Sequence, residues 1–324
     1  MQDFPTNLLD ATRYFSDEQK CIDVVTFLRW SDGNPICPKC GTVQGERKHY
    51  WLDTQKRWKC YACRKQFSVK VDTIFEDSPV SLDKWMMALW MLCNCKNGVS
   101  SYEISRALGV TQKSAWFMLH RLRAALAGGS IMKMGGDDSG PIEIDETFVG
   151  GKVKNMHKSK RPKTRGMQGG SGKAIVLGML ERGGRVRARV IVDRTKPTID
   201  PIVTEHIEAG SQIVTDEHPA YRYLSTEYLH EIINHAEQYV REHVHTNGIE
   251  NFWSLLKRGL NGTYVSVEPF HLDAYVAEQV FRFNNRATKD NPLNDADRFV
   301  LAMSQISGKR LTYAALTGKV PPSF

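Results

Sequence analysis

Pro141-Ile142-Glu143-Ile144-Asp145-Glu146-Thr147-Phe148-Val149 marks the point where the chain changes character. In a strand the side chains alternate faces, so Ile142 and Ile144 take one side while Glu143 and Asp145 take the other. Downstream, Ala174–Leu180 and Val186–Val192 read as two more strands. A helix from about Thr198 to Glu208 and a strand at Gln212–Asp216 follow. A second helix near Ala220–Glu227 and a strand at Glu231–Asn234 complete the sheet signals. Helices at about Gly248–Arg258 and Pro269–Arg286 close the segment. Strands and helices in this order predict an α/β core with a mixed sheet over residues 140–290.

Upstream the pattern differs. Residues 1–35 read as helical, ending at the breaker Asp32-Gly33-Asn34-Pro35. Residues 36–72 are short, cysteine-marked and strand-like, and 80–127 read as three helices. A glycine-rich stretch then separates them from the α/β core, and residues 291–324 form a C-terminal helical tail. The fold class is multidomain α+β.

The chain has 324 residues, 41% of them hydrophobic, and its longest apolar segment, Trp85 to Cys93, is far too short to span a membrane. Its first residues carry acids and lack an apolar run, which argues against secretion and for a cytoplasmic protein. The formal net charge of +8 points to a polyanionic partner. Clustering sharpens that expectation. From Cys37 to Lys70 there are nine Lys/Arg against Glu46 and Asp53, and from Gly151 to Lys173 there are eight Lys/Arg and no acid. Lys158, Lys160, Arg161, Lys163 and Arg165 in the second stretch are candidate DNA-phosphate contacts.

Seven cysteines are an odd count, and four of them form Cys37-x-x-Cys40 and Cys60-x-x-Cys63. Two such pairs, separated by residues 41–59, place four thiolates on facing knuckles. The chemistry suits one structural Zn2+ per chain, since four thiolates leave no open position for catalysis. So short a segment buries little surface, so the metal would supply folding energy.

Ser100-Ser101-Tyr102-Glu103 fits a capping box, Gly109 ends that helix, and Thr111 can cap the next. Two short helices about a glycine turn make a helix-turn-helix, with Gln112, Lys113 and Ser114 at the start of the second helix as DNA-contact candidates and Arg121 and Arg123 further along. Among the acids, Asp145 and Asp216 sit on strands, Asp216 at a strand end. On the helix beginning near Asn247, the residues Asn247, Glu250, Ser254 and Lys257 fall within roughly 80° of arc. Ile249, Phe252, Trp253, Leu256 and Leu260 fill the opposing stripe. Carboxylates converging from separate elements are what a divalent-ion site for phosphodiester chemistry needs.

Three blocks carry a family resemblance: Glu143-Ile-Asp145-Glu-Thr-Phe-Val-Gly-Gly-Lys152, Thr215-Asp216-Glu-His-Pro-Ala-Tyr221, and His245-Thr-Asn-Gly-Ile-Glu250-Asn-Phe-Trp253-Ser-Leu-Leu-Lys257-Arg258. They resemble the bacterial insertion-sequence DDE transposases of the ISXO type, which have an N-terminal zinc ribbon. The resemblance implies a ribonuclease-H-like core and a triad of Asp145, Asp216 and Glu250 holding two Mg2+, with Lys257 as an auxiliary basic residue. Asn247 competes with Glu250 for the third position. The resemblance further implies cleavage at transposon ends followed by strand transfer into target DNA. It also implies assembly as a homodimer or larger synaptic complex on terminal inverted repeats, and a nucleoid-associated place in the cell. Two alternatives stand beside it: a catalytically inactive DNA-binding regulator, and a metal-dependent nuclease without strand transfer.

Overall fold

The computed structural model describes residues 4–45, 47–128, 132–136, 139–151, 172–233, 245–289 and 291–320. The chain divides into two compact units, Met1–Gly128 with Asn285–Phe324, and Gly129–Asn284.

In the first unit, helices α1 (Leu8–Phe15) and α2 (Glu18–Arg29) are separated because Asp17 turns to cap the second, accepting from the Gln19 and Lys20 amides. The ribbon strands β1 (Tyr50–Leu52), β2 (Arg57–Lys59) and β3 (Gln66–Phe67) form an antiparallel sheet in that order. Trp58 packs between Trp30, Trp51 and Phe67, giving this small sheet an aromatic core. Helix α3 (Leu82–Asn94) buries Trp85, Met86, Leu89 and Trp90. The segment Trp85 to Cys93 is therefore a core helix. Helices α4 (Ser101–Leu108) and α5 (Gln112–Leu126) follow, with the Ser100–Glu103 capping box formed and Gly109 left-handed at φ +60°. The C-terminal segment packs against these helices: Phe299 of α9 (Asp295–Met303) meets the rings of Phe15 and Trp90. Tyr313, opening α10 (Tyr313–Leu316), meets Phe117 of α5.

The second unit is built on five strands: β4 (Ile142–Val149), β5 (Ala174–Glu181), β6 (Val186–Ile191), β7 (Gln212–Asp216) and β8 (Leu229–Ile233). Their order is β6-β5-β4-β7-β8, antiparallel from β6 to β4 and parallel from β4 to β8, so the sheet is mixed. Helix α6 (Lys196–His206) covers one face with Ile142, Ile144, Leu177, Met179 and Tyr221 beneath it. Helices α7 (Asn247–Arg258) and α8 (Leu272–Asn284) cover the other, over Val176, Leu180 and Val186. The alternation expected at Ile142–Asp145 is what divides these two layers. The expected helix near Ala220–Glu227 is instead a 3-10 helix, Pro219–Thr226. Its three-residue period keeps Tyr221 and Leu224, both buried, on one face. β8 begins two residues earlier than expected, and Asn234 lies outside the described residues.

Candidate metal centres

The parallel pairing of β4 with β7 covers only Ile142–Ile213 and Glu143–Val214. Two residues further along each strand stand Asp145 and Asp216, where the strands have parted. Such an opening beside the carboxyl end of a sheet's switch strand is where α/β folds place ligands. Carboxylate oxygens of Asp145, Glu146 and Asp216 all lie within 4.8 Å of one another. Glu146 was not anticipated from the sequence, because strict alternation sends it to the face opposite Asp145. It reaches the same opening only because both side chains stand where β4 has lost its β7 partner.

The electrostatics fit a cation. Burial raises the Asp145 carboxyl, the Trp253 indole opposes that shift, and the charges of Asp216 and Glu250 add to it. Burial also pushes Glu146 up to about 7, eased by the Tyr221 hydroxyl and by Arg194 but reinforced by Asp216 and Asp145. Three carboxylates this close repel one another when ionised, and a hard divalent ion held by oxygen ligands relieves that repulsion. The Asp216 carboxylate is fixed in turn by the His218 backbone amide, 3.0 Å from Oδ1. His218 itself caps the following 3-10 helix by accepting from the Ala220 amide. Its side chain has a structural task, and burial lowers its pKa.

Helix α7 lies beside this cluster with its apolar stripe inward, Ile249, Phe252, Trp253 and Leu256 being buried. The Trp253 Nε1–H donates to Asp145 Oδ2 at 2.9 Å. That reach depends on Gly178, which pairs with Asp145 across β4 and β5. A Cβ at Gly178 would stand 2.6 Å from the Trp253 ring and 2.8 Å from Ile249. Gly178→Ala is therefore expected to destabilise this unit by ~1–3 kcal/mol through overpacking, read as a lower thermal midpoint. An unchanged midpoint would show that Trp253 does not pack there. Glu250 is exposed, lies outside the 4.8 Å grouping, and accepts from Thr246 Oγ1 at 3.2 Å. Asn247 opens α7 and is exposed, as is Lys257 near its end.

The second cluster is the cysteine quartet Cys37, Cys40, Cys60 and Cys63, whose sulfurs also lie within 4.8 Å of one another. The Cys37–Cys63 and Cys40–Cys60 separations are 3.8 and 3.7 Å. A tetrahedron with Zn–S bonds of about 2.3 Å has edges of about 3.8 Å, so these sulfurs are spaced for zinc. Each pair sits on a matching turn: the Gly41 amide donates to Cys37 O, and the Arg64 amide to Cys60 O. Both turns need a left-handed residue, supplied by Gly41 at φ +71° and by Arg64 at φ +62°. The other three cysteines stand apart from this quartet. Cys21 and Cys93 are buried, and Cys95 caps α3.

At the helix-turn-helix, Gln112 Nε2 donates to Ser101 Oγ, Lys113 lies over the Tyr313 ring, and Ser114 is hydrogen-bonded to Thr111. Arg121 and Arg123 are not surface cations: both are buried, and Arg121 donates to the Glu76 carbonyl while stacking on Trp85 and Phe117. Lys158, Lys160, Arg161, Lys163 and Arg165 lie outside the described residues.

A mixed five-stranded sheet with carboxylates at the β4–β7 opening, accompanied by a four-cysteine ribbon, defines the architecture of a DDE-type transposase core with a zinc ribbon. Comparison with known proteins agrees. Residues 138–284 match the ISXO2-like transposase domain, and residues 16–66 match the transposase zinc-ribbon domain. A protein in transposable element ISH50 of Halobacterium salinarum is 26% identical over 258 residues, covering 76% of this chain and 84% of that protein. A transposase-like protein of Haemophilus influenzae is 32% identical over 106 residues, 32% of this chain and 85% of that protein. The chain belongs to the ISXO2-like transposase family. No helix among the described residues is long and apolar enough to cross a membrane.

Proposed function

We propose that the chain cuts DNA at the ends of a mobile element and joins those ends to target DNA. The observation that carries this reading is the convergence of Asp145, Glu146 and Asp216 at the β4–β7 opening. Asp145 and Asp216 are the shared ligands for Mg2+, and Glu250 approaches from α7 as the third member, with its charge already felt at Asp145. When bound, Mg2+ supplies Lewis-acid polarisation of a phosphodiester and a more acidic water. Hydrolysis breaks the P–O3′ bond and leaves a 3′-OH on the element. That hydroxyl then attacks a target phosphodiester in line, forming one P–O bond as another breaks, with the proton passing to solvent. Lys257, on the same arc of α7, holds a DNA phosphate. Asn247 shares that arc but brings no charge to a hard cation. The four ribbon cysteines hold one zinc, and the ribbon and helix-turn-helix grip element ends, with Gln112, Lys113 and Ser114 at the recognition helix. Joining two ends requires at least a dimer. A cytoplasmic, nucleoid-associated setting follows from DNA as substrate.

A second reading of the site is favoured by one observation. Glu146, not Glu250, lies in the 4.8 Å grouping, so it competes as the third ligand. Its pKa of about 7 gives a consequence with a definite sign. Below that pH a cation must displace the Glu146 proton, so Mn2+ affinity is expected to rise with pH and level off above about 7. In metal-free protein the same raised pKa means that stability falls as pH climbs from the ordinary carboxyl range toward 7, because the unfolded chain releases that proton first. A Mn2+ titration between pH 6 and 8 reads the first effect, and a flat affinity would remove Glu146 from the site.

The transposition reading itself is tested with end-containing DNA, Mg2+ and a target plasmid. Nicked ends together with joined products are expected. Nicks without joining would make the protein a nuclease, and tight DNA binding without nicks would make it a regulator.

A further inference from the structure

We propose that Glu143 is a positioning residue that sets the height and rotation of α7, and so fixes where Glu250 stands relative to Asp145. The inference rests on the reading of Glu250 as a ligand, and it deepens that reading.

Glu143 lies two residues before Asp145 on the same face of β4, and it is completely buried. A buried carboxylate persists only where donors meet it. Here the Arg182 Nε donates to Oε1 at 2.8 Å, and the Ile249 amide donates to Oε2 at 2.8 Å. His245 Nδ1 is 3.5 Å from Oε1. Arg182 also donates to the His245 carbonyl, which fixes the backbone just ahead of α7. Sheet and helix are thereby joined at this carboxylate, one helical turn before the Trp253 indole meets Asp145.

The Ile249 bond is the unusual part. A helix normally has its first-turn amides satisfied by the residue that caps it. Thr246 occupies that position in α7, but its side chain makes no capping bond. Its hydroxyl donates to Glu250 instead. Glu143 therefore supplies the cap from the sheet, and the positive end of the helix dipole meets its charge. Gly248 makes room for this approach, because a Cβ there would stand 2.8 Å from Glu143 Oε2.

Apolar contacts between α7 and the sheet tolerate small sliding, whereas a charged hydrogen bond does not. One residue of slip would move α7 by about 1.5 Å and turn it by about 100°. Glu250 is one residue beyond Ile249, so the bond that fixes Ile249 also fixes Glu250.

The test uses the full-length chain and two readouts, Mn2+ affinity by electron paramagnetic resonance and Mg2+-dependent nicking of end-containing DNA. Glu143→Gln is expected to weaken Mn2+ binding and slow nicking by ~10–100-fold, the range for residues that orient metal ligands. DNA affinity should stay within about twofold. Adding Glu143→Gln to Glu250→Gln should cause no further loss, because residues acting through one another are not additive. Val203→Ala, a buried change on α6 against the opposite face of the sheet, supplies a control of lowered stability and should leave the Mn2+ midpoint unchanged. If Glu143→Gln does not fold, Arg182→Lys, which keeps the charge but loses the fork to His245, should show the smaller shift. Wild-type Mn2+ affinity in Glu143→Gln, full additivity with Glu250→Gln, or an equal shift in Val203→Ala overturns the proposal. Absent nicking in the wild type would overturn the transposition reading, while the Mn2+ comparison would still decide the role of Glu143.

Discussion

Asp145→Asn is expected to reduce Mg2+-dependent nicking of end-containing DNA by about 10³-fold or more while leaving the fold intact. The amide keeps the shape of the carboxyl and still offers an oxygen to the Trp253 indole, which donates to Oδ2 in the wild type. What it loses is charge. Asp145 is held against Asp216 and Glu146 despite its burial, an arrangement that costs free energy until a cation arrives. Removing one charge takes several kcal/mol from the stabilisation of that cation and of the charge developing on the phosphate. At 1.36 kcal/mol per decade, a loss of ~4 kcal/mol is ~10³ in rate. The same change relieves repulsion, so the metal-free variant should melt no lower than the wild type. Nicking at the wild-type rate would remove Asp145 from the chemistry.

Cys60→Ser is expected to lower bound zinc from one per chain to near zero and to melt the ribbon. Strands β1, β2 and β3 contain only three, three and two residues. Their shared core is a handful of rings around Trp58. Structural zinc contributes ~10–16 kcal/mol in small ribbons and fingers, more than such a core can replace. Cys60 is fully buried among the four sulfurs, 3.7 Å from Cys40. A serine hydroxyl there is a poor substitute for a soft thiolate. Elemental analysis reads the zinc directly, and Trp58 fluorescence should shift as its packing is lost. Retention of one zinc with an unchanged spectrum would contradict the assignment.

Local pattern made much of this molecule legible. The alternation at Ile142–Asp145 foretold both sheet faces, the capping box at Ser100–Glu103 foretold α4, and cysteine spacing foretold the quartet. Strand context and the family blocks together singled out Asp145 and Asp216, whose carboxylates lie within 4.8 Å of one another. Features that depend on where strands part or elements meet were not legible. Glu146 joins the acids only because β4 and β7 separate beyond Glu143 and Val214. The Glu143–Arg182 pair spans 39 positions, and nothing near either residue announces it. Arg121 and Arg123 follow further along the same helix in sequence, and only the fold shows that both are buried. The segment 291–324, read as a tail, contributes Phe299 to the core of the first unit because its partners Phe15 and Trp90 lie some two hundred residues or more earlier.

The acids at the β4–β7 opening are proposed as a divalent-metal centre. Titration of the full-length protein with Mn2+, followed by electron paramagnetic resonance, tests it without relying on any DNA sequence. Saturable binding is predicted in the wild type, with Asp145→Asn and Asp216→Asn each losing it while keeping their zinc and their fold. Equal Mn2+ binding in the wild type and both variants would contradict it.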